Sequence, residues 1–294
     1  MLWSQAPQGR YPVRMQTCSI GPITIGSDPT EPPPPLVIIA GPCVLESAAV
    51  HEAIGETLQD ACGAAGLPWI FKGSFDKANR TSLHSPRGPG MTDGLAMLRE
   101  TGEHFGVPVT TDVHDASQAA PVAAVADLLQ IPAFLCRQSD LLAACGATGR
   151  PVNIKKGQFL SPAEMVHAAD KAMDAGAGGL MLTERGTFFG YHRLVNDFIG
   201  LGDLMQLGWP VCFDATHSTQ LPGGGSGTSA GRPERAALLA RAAVAAGVHA
   251  LFIECHPDPS QALSDGATVQ TLKATANIIQ EVAAIRAALT GMTA

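Results

Sequence analysis

Short unbroken apolar runs alternate along this chain with longer Ala- and Leu-rich stretches of mixed polarity. The runs are Leu36–Ala40, Trp69–Lys72, Val107–Thr111, Leu128–Ile131, Val152–Lys155, Gly179–Thr183, Pro210–Asp214 and Ala250–Glu254. They read as continuous and not as alternating, the mark of parallel strands covered on both faces. Between them the spacing predicts helices, as over Ser161–Ala175 and Arg232–Ala246. Ser161-Pro162 opens its helix well, because serine caps free amides and proline suits the first helical position. Eight strand–helix units over about 250 residues are the count of a (β/α)8 TIM barrel. An open doubly wound sheet is the alternative, but no glycine fingerprint follows the first run.

Upstream, residues 11–25 alternate weakly around Ser19-Ile20-Gly21-Pro22, which predicts a short β-hairpin. Asp28-Pro29-Thr30-Glu31-Pro32-Pro33-Pro34-Pro35 is a stiff linker that forms neither helix nor central strand. The chain thus divides into an N-terminal extension, 1–35, and an α/β barrel, 36–294. Two connections are long and polar. Gly73–Gly90 carries Lys77, Asn79, Arg80, Ser82, His84 and Arg87; Leu221–Arg232 is glycine-rich, as a mobile lid would be. Polar loops at one end of a barrel are expected where substrate binds.

Composition narrows the class. With 294 residues, 46% hydrophobic and 15% charged, the chain is globular and well buried. Its net charge of −7 argues against general nucleic-acid or membrane-surface binding. No apolar run reaches the roughly 18–20 residues of a membrane span. Met1-Leu2-Trp3-Ser4-Gln5 lacks the regions of a signal peptide. Seven cysteines without regular spacing read as free thiols in a reducing cytoplasm.

The candidate chemistry lies at strand ends. Cys43, His217, Glu254 and Asp265 each sit at or beyond the end of an apolar run. A closed barrel would bring this thiolate, imidazole and carboxylate pair together, a set that suits a borderline divalent metal. Singly, each reads as a buried thiol or a satisfied polar residue. Lys72, Lys155, Lys156 and Arg185 also lie at strand ends, with Lys77 and Arg80 in the loop after the second. Pointed into one mouth, they would hold small substrates bearing phosphate or carboxylate. Asp112 closes the third strand and Gln130 lies inside the fourth, placed either for hydroxyl recognition or for a buried structural hydrogen bond.

Several longer segments resemble one family. They are Gly41-Pro42-Cys43-Val44-Leu45-Glu46-Ser47 and Phe71-Lys72-Gly73-Ser74-Phe75-Asp76-Lys77-Ala78-Asn79-Arg80-Thr81-Ser82. Asn153-Ile154-Lys155-Lys156-Gly157-Gln158-Phe159, Glu184-Arg185-Gly186-Thr187-Phe188-Phe189-Gly190-Tyr191 and Phe213-Asp214-Ala215-Thr216-His217-Ser218-Thr219-Gln220 follow in order. With Leu129–Gln138 and Glu254–Pro259, they resemble the 3-deoxy-D-manno-octulosonate 8-phosphate synthases from about residue 36 to 270.

The resemblance implies a (β/α)8 barrel whose N-terminal hairpin closes the bottom, assembled as a homotetramer. It implies condensation of phosphoenolpyruvate with D-arabinose 5-phosphate and water in lipopolysaccharide biosynthesis. Carried over by position, Lys72, Lys155, Arg185 and Gln130 would hold phosphoenolpyruvate. Asn79, Arg80 and Thr81 would bind the arabinose phosphate and Asp112 its hydroxyls, with Lys77 between the two ligands. The metal-dependent branch carries Cys in the first-strand motif, so Cys43 implies one divalent ion, with His217, Glu254 and Asp265 as the other ligands. Zinc, iron, manganese and cobalt all suit such donors, and no organic cofactor is implied. Lys72, Lys77, Lys155, His217 and Asp265 are the implied catalytic residues. The related synthase acting on erythrose 4-phosphate has a Lys-Pro-Arg-Thr-Ser motif where this chain reads Lys77-Ala78-Asn79-Arg80-Thr81-Ser82. A sialic-acid-type synthase and a non-catalytic anion- or metal-binding barrel are weaker alternatives.

Overall fold

The computed structural model describes residues 15–26, 34–79, 84–224 and 230–292. It opens with a hairpin, β1 (Cys18–Ile20) paired antiparallel to β2 (Ile23–Ile25) across Gly21-Pro22. Eight strands follow in the predicted places: β3 (Val37–Gly41), β4 (Trp69–Lys72), β5 (Val109–Asp112), β6 (Leu128–Ile131), β7 (Val152–Lys155), β8 (Leu180–Glu184), β9 (Val211–Asp214) and β10 (Ala250–His256). Each pairs in parallel with its sequence neighbour, and β10 pairs with β3 to close a (β/α)8 barrel. Helices α1 (Ala48–Ala65), α2 (Met91–Phe105), α3 (Ala119–Ala123), α4 (Ser139–Gly146), α5 (Met165–Asp174), α6 (Phe198–Met205), α7 (Ala236–Ala245) and α8 (Leu272–Met292) lie between and after them. Among the described residues, no helix is long and apolar enough to cross a membrane.

Local chemistry sets the boundaries. Ser47 caps α1 by accepting from the Val50 amide, and Gly66 ends it in the left-handed conformation at φ 65°. At α5 a 3-10 turn over Pro162–Glu164 precedes the helix, and the Glu164 carboxylate accepts from both the amide and hydroxyl of Ser161.

The strands divide their side chains between two cores. Ile38, Phe71, Val109, Leu129, Ile154, Leu182, Phe213 and Leu251 face the helices. Val37, Ile39, Ile70, Leu128, Met181, Cys212, Ala250 and Phe252 fill the barrel interior, where Cys18, Ile20, Ile23 and Ile25 of the hairpin join them. The hairpin therefore plugs the N-terminal end with apolar side chains, each stabilising the fold by about 1.5–3 kcal/mol when fully buried. Only the opposite end is left for chemistry.

Candidate active site

Successive residues on a strand point to opposite faces, so parity decides which polar groups enter the barrel. Climbing the interior from the apolar floor, the next layer is Thr110, Gln130, Asn153 and Thr183, all buried. Thr110 Oγ1 donates to the Leu128 carbonyl at 2.8 Å, and the other three join Asp112 and Ser74 in one relay around the wall. Ser74 Oγ donates to Asp112 Oδ2, and Gln130 Nε2 donates to Asp112 Oδ1 at 2.7 Å. Asn153 Nδ2 donates to Gln130 Oε1 at 3.0 Å, and Thr183 Oγ1 to Asn153 Oδ1 at 2.6 Å. Gln130 thus spends its amide on the wall of the barrel.

Above this belt, ionisable side chains converge. Cys43 comes from the β3–α1 connection, Glu254 from β10 and Asp265 from the loop before α8. Their ligand atoms lie within 4.8 Å of one another. Cys43 Sγ donates to Asp265 Oδ2 at 3.0 Å. The connection can form because Gly41 has no side chain: a Cβ there would stand 1.9 Å from the Lys72 carbonyl oxygen. Asp265 adopts φ 51°, a left-handed conformation that Asp tolerates better than most residues. Its carbonyl accepts from the amides of Thr268 and Val269, which fixes the turn.

His217, just beyond β9, lies beside Glu254 and outside the cluster of Cys43, Glu254 and Asp265. Its Nε2 stands 3.6 Å from Glu254 Oε2, while its Nδ1 meets Asp214 Oδ2 at 2.7 Å. Glu254 Oε2 is buried and has no hydrogen-bond partner among the described residues. An orphaned carboxylate oxygen facing a thiol, an imidazole and a second carboxylate is a possible metal-ligand group, and the donors suit a borderline divalent cation.

The cations line the same mouth, each against an acceptor. Lys72 Nζ is 2.5 Å from Glu254 Oε1 and donates to the carbonyls of Pro42 (3.3 Å) and Cys43 (2.8 Å). All three of its N–H groups are used, so Lys72 ties the Cys43 connection to β10. Lys155 Nζ lies 2.6 Å from Asp214 Oδ2 and 3.8 Å from the centroid of the Phe252 ring. Lys77 Nζ donates to Ser74 Oγ at 3.0 Å and lies 4.0 Å from Asp112. Arg185 Nη2 donates to Gln220 Oε1 at 2.6 Å and to the His217 carbonyl at 3.2 Å. Gln220 Nε2 in turn reaches Asp265 Oδ1 at 3.4 Å.

The field in the mouth follows from these pairs. Burial penalises charge on Asp112, Asp214 and Glu254, but neighbouring cations overrule it and hold all three below the usual carboxylate range. For Lys77, burial disfavours the charged form, but the surrounding Cys43, Glu254, Asp112 and Asp265 overrule it and hold its pKa above the usual lysine range. Burial and then the charges of Asp265 and Glu254 push the Cys43 thiol well up, so thiolate formation there calls for a compensating cation.

Two expectations change. Lys156 does not join the mouth, because it follows Lys155 and faces the other way. It lies 3.5 Å from Glu184 Oε2 and donates to the carbonyls of Gly157 and Leu160, pinning loops behind the barrel wall. Glu254 lies inside β10 and not at its end, because that strand runs on to His256. Asn79 is exposed in the β4–α2 loop, while Arg80 and Thr81 lie outside the described residues. Asp214, Gln220 and Ser74 carry much of the hydrogen bonding and were not singled out from sequence. Parity with Cys212 could have placed Asp214 inside; Gln220 and Ser74 follow no strand pattern.

Comparison with known proteins agrees with this geometry. Residues 11–288 match the model of the DAHP synthetase I family. A 2-dehydro-3-deoxyphosphooctonate aldolase from Geotalea uraniireducens is 48% identical over 269 residues, covering 92% of this chain and 97% of the relative. One from Acidithiobacillus ferrooxidans is 53% identical over 232 residues, 79% of this chain and 83% of the relative. One from a Cyanothece strain is 51% identical over 255 residues, 87% of this chain and 93% of the relative. This chain belongs to the DAHP synthetase I family, and the relatives it resembles there are 2-dehydro-3-deoxyphosphooctonate aldolases.

Proposed function

We propose that this protein is a 3-deoxy-8-phosphooctulonate synthase. It condenses phosphoenolpyruvate with D-arabinose 5-phosphate and water, giving 3-deoxy-D-manno-octulosonate 8-phosphate and phosphate. The reaction is a transferase step of Kdo and lipopolysaccharide biosynthesis. The observation that carries the reading is about half identity, over most of the chain, to relatives bearing this activity's name. The mouth supports it with cationic and metal-ligating side chains side by side.

Lys155 and Arg185 hold the carboxylate and phosphate of phosphoenolpyruvate, with Lys72 and Lys77 adding charge from the Cys43 side. Gln130 lies beside the phosphoenolpyruvate site and is bonded to Asp112, which receives the sugar hydroxyls. Asn79, Arg80 and Thr81 bind the sugar phosphate from the loop after β4. The enol carbon then attacks the aldehyde, and water adds to the neighbouring carbon as phosphate leaves by C–O cleavage. The cations fix the geometry and offset ligand charge. Cys43, His217, Glu254 and Asp265 would hold one divalent ion, of zinc, iron, manganese or cobalt, which supplies Lewis-acid orientation of the aldehyde or water.

The residues flanking the mouth bear on assembly. Phe134, Phe159, Phe188, Phe189 and Tyr191 are 42–84% exposed, on loops following β6, β7 and β8. Such a cluster suits contact with further copies of the chain, as in a homotetramer. Seven free, buried cysteines suit a cytoplasmic protein. Division of the chain into an extension, 1–35, and a catalytic barrel, 36–294, remains part of this reading.

The test is phosphate release from phosphoenolpyruvate with arabinose 5-phosphate, before and after chelation. Release that stops on chelation and returns with a divalent metal supports the reaction and the ligand set. Release untouched by thorough metal removal keeps the reaction and removes the metal. A second reading rests on the family description, which names DAHP synthetase. Turnover with erythrose 4-phosphate and not with arabinose 5-phosphate would select it.

A further inference from the structure

Asp214 has the densest set of partners in the mouth, and neither the ligand set nor the substrate site includes it. It is fully buried at the end of β9. Its Oδ1 accepts from the amides of Thr216 at 3.1 Å and His217 at 2.8 Å, so the carboxylate cannot swing. Its Oδ2 meets two cationic or donor groups at once, Lys155 Nζ at 2.6 Å and His217 Nδ1 at 2.7 Å. One oxygen thus joins the ammonium of the proposed phosphoenolpyruvate site to the imidazole of the proposed metal site.

We infer that Asp214 is a positioning residue that sets the tautomer of His217. A carboxylate at Nδ1 accepts a proton there, which leaves Nε2 bare and turned toward Glu254 Oε2, 3.6 Å away. This is the arrangement in which outer-shell carboxylates orient metal-bound histidines. The same oxygen holds Lys155 over Phe252, so the two sites keep a fixed separation. The competing role is purely local: through Oδ1 alone, Asp214 anchors the Thr216 and His217 amides where the 3-10 turn His217–Thr219 begins. The inference rests on the metal reading above, and the experiment separates the two.

Asp214→Asn keeps an oxygen for the two amides and replaces Oδ2 with an amino group. That group is a donor facing the Lys155 ammonium and His217 Nδ1. The imidazole answers by accepting at Nδ1 and carrying its proton on Nε2, where a metal would bind. Cobalt(II) titration of the apoprotein, read by thiolate-to-cobalt charge-transfer absorbance, should show affinity about 10–100-fold weaker than wild type. Unchanged cobalt affinity in a folded D214N protein would leave only the anchoring of those two amides and overturn the inference.

If D214N does not fold, the wild type still decides. In [15N]histidine-labelled protein, with His217 assigned by its loss in His217→Gln, a proton on Nδ1 supports the inference. A ring bare at Nδ1 with its proton on Nε2 overturns it. Wild-type protein that develops no cobalt charge-transfer band removes the metal reading, and the nitrogen spectrum then judges the role of Asp214 alone.

Discussion

Glu254 has two oxygens with opposite circumstances, one held by Lys72 and one without a partner. Glu254→Gln removes the charge opposite a buried lysine, and breaking such a pair costs about 3–5 kcal/mol. Denaturant unfolding should show that loss, together with loss of divalent-metal binding. In the first turn of α1, His51 Nε2 accepts the Glu46 amide at 3.1 Å, a bond that only the neutral ring can make. Burial holds His51 at about 4, below an ordinary value near 6.5. A depressed value contributes stability that is present above the unfolded pKa and lost as pH falls through the folded one. Thermal midpoints should therefore hold above pH 6.5 and fall between about 6.5 and 4, where the His51→Gln protein falls less. Asp112, Asp214 and Glu254 have the same sign but lose their contribution only below about pH 4, through their lowered values. None of these partners is adjacent in sequence, so none could be read from a run of letters.

The loop after β4 is closed at its neck. The Lys77 amide donates to the Arg87 carbonyl at 2.8 Å, and the Gly90 amide to the Phe75 carbonyl at 3.0 Å. Arg87 grips Asp76 with a bidentate pair, 2.8 and 2.5 Å, across that neck. Asn79, Arg80 and Thr81 lie between these anchors in sequence. Arg87→Ala should raise KM for arabinose 5-phosphate severalfold and leave KM for phosphoenolpyruvate near its wild-type value; equal changes in both would argue against a role confined to this loop. Strand positions were legible at this scale because a run of β-branched and aromatic residues reports burial on both faces. Ends shifted by one or two residues, as from Val107–Thr111 to Val109–Asp112, since apolar residues continue into the approach to a strand. The Asp76–Arg87 clasp carried no such pattern.

The whole molecule has one plugged end and one open end. Apolar hairpin side chains occupy the floor, the Asp112–Gln130–Asn153–Thr183 belt spans the middle, and charge collects at the top. Aromatic side chains stand exposed around the charged end, with Tyr191 84% and Phe189 63% accessible. A homotetramer covering them would sediment or scatter with a mass near four times 30.4 kDa. Replacing Phe189 and Tyr191 with aspartate should shift that mass downward, measured by light scattering after size exclusion; an unchanged mass would place the interface elsewhere.

Sequence alone determined the fold class, because eight doubly covered strands separated by helices leave few ways to close a sheet. It also determined the chemical inventory, since thiol, imidazole, carboxylate and ammonium groups cluster at strand ends whatever the loops do. Tertiary structure decided which of them meet. Pairing of β10 with β3 brings Cys43 and Asp265, 222 positions apart, to 3.0 Å. Strand parity admits Lys155 and excludes Lys156, and only the assembled mouth shows each cation matched to a nearby acceptor. The division has a physical cause: strand formation depends on neighbours two residues apart, whereas a site depends on closure of the barrel.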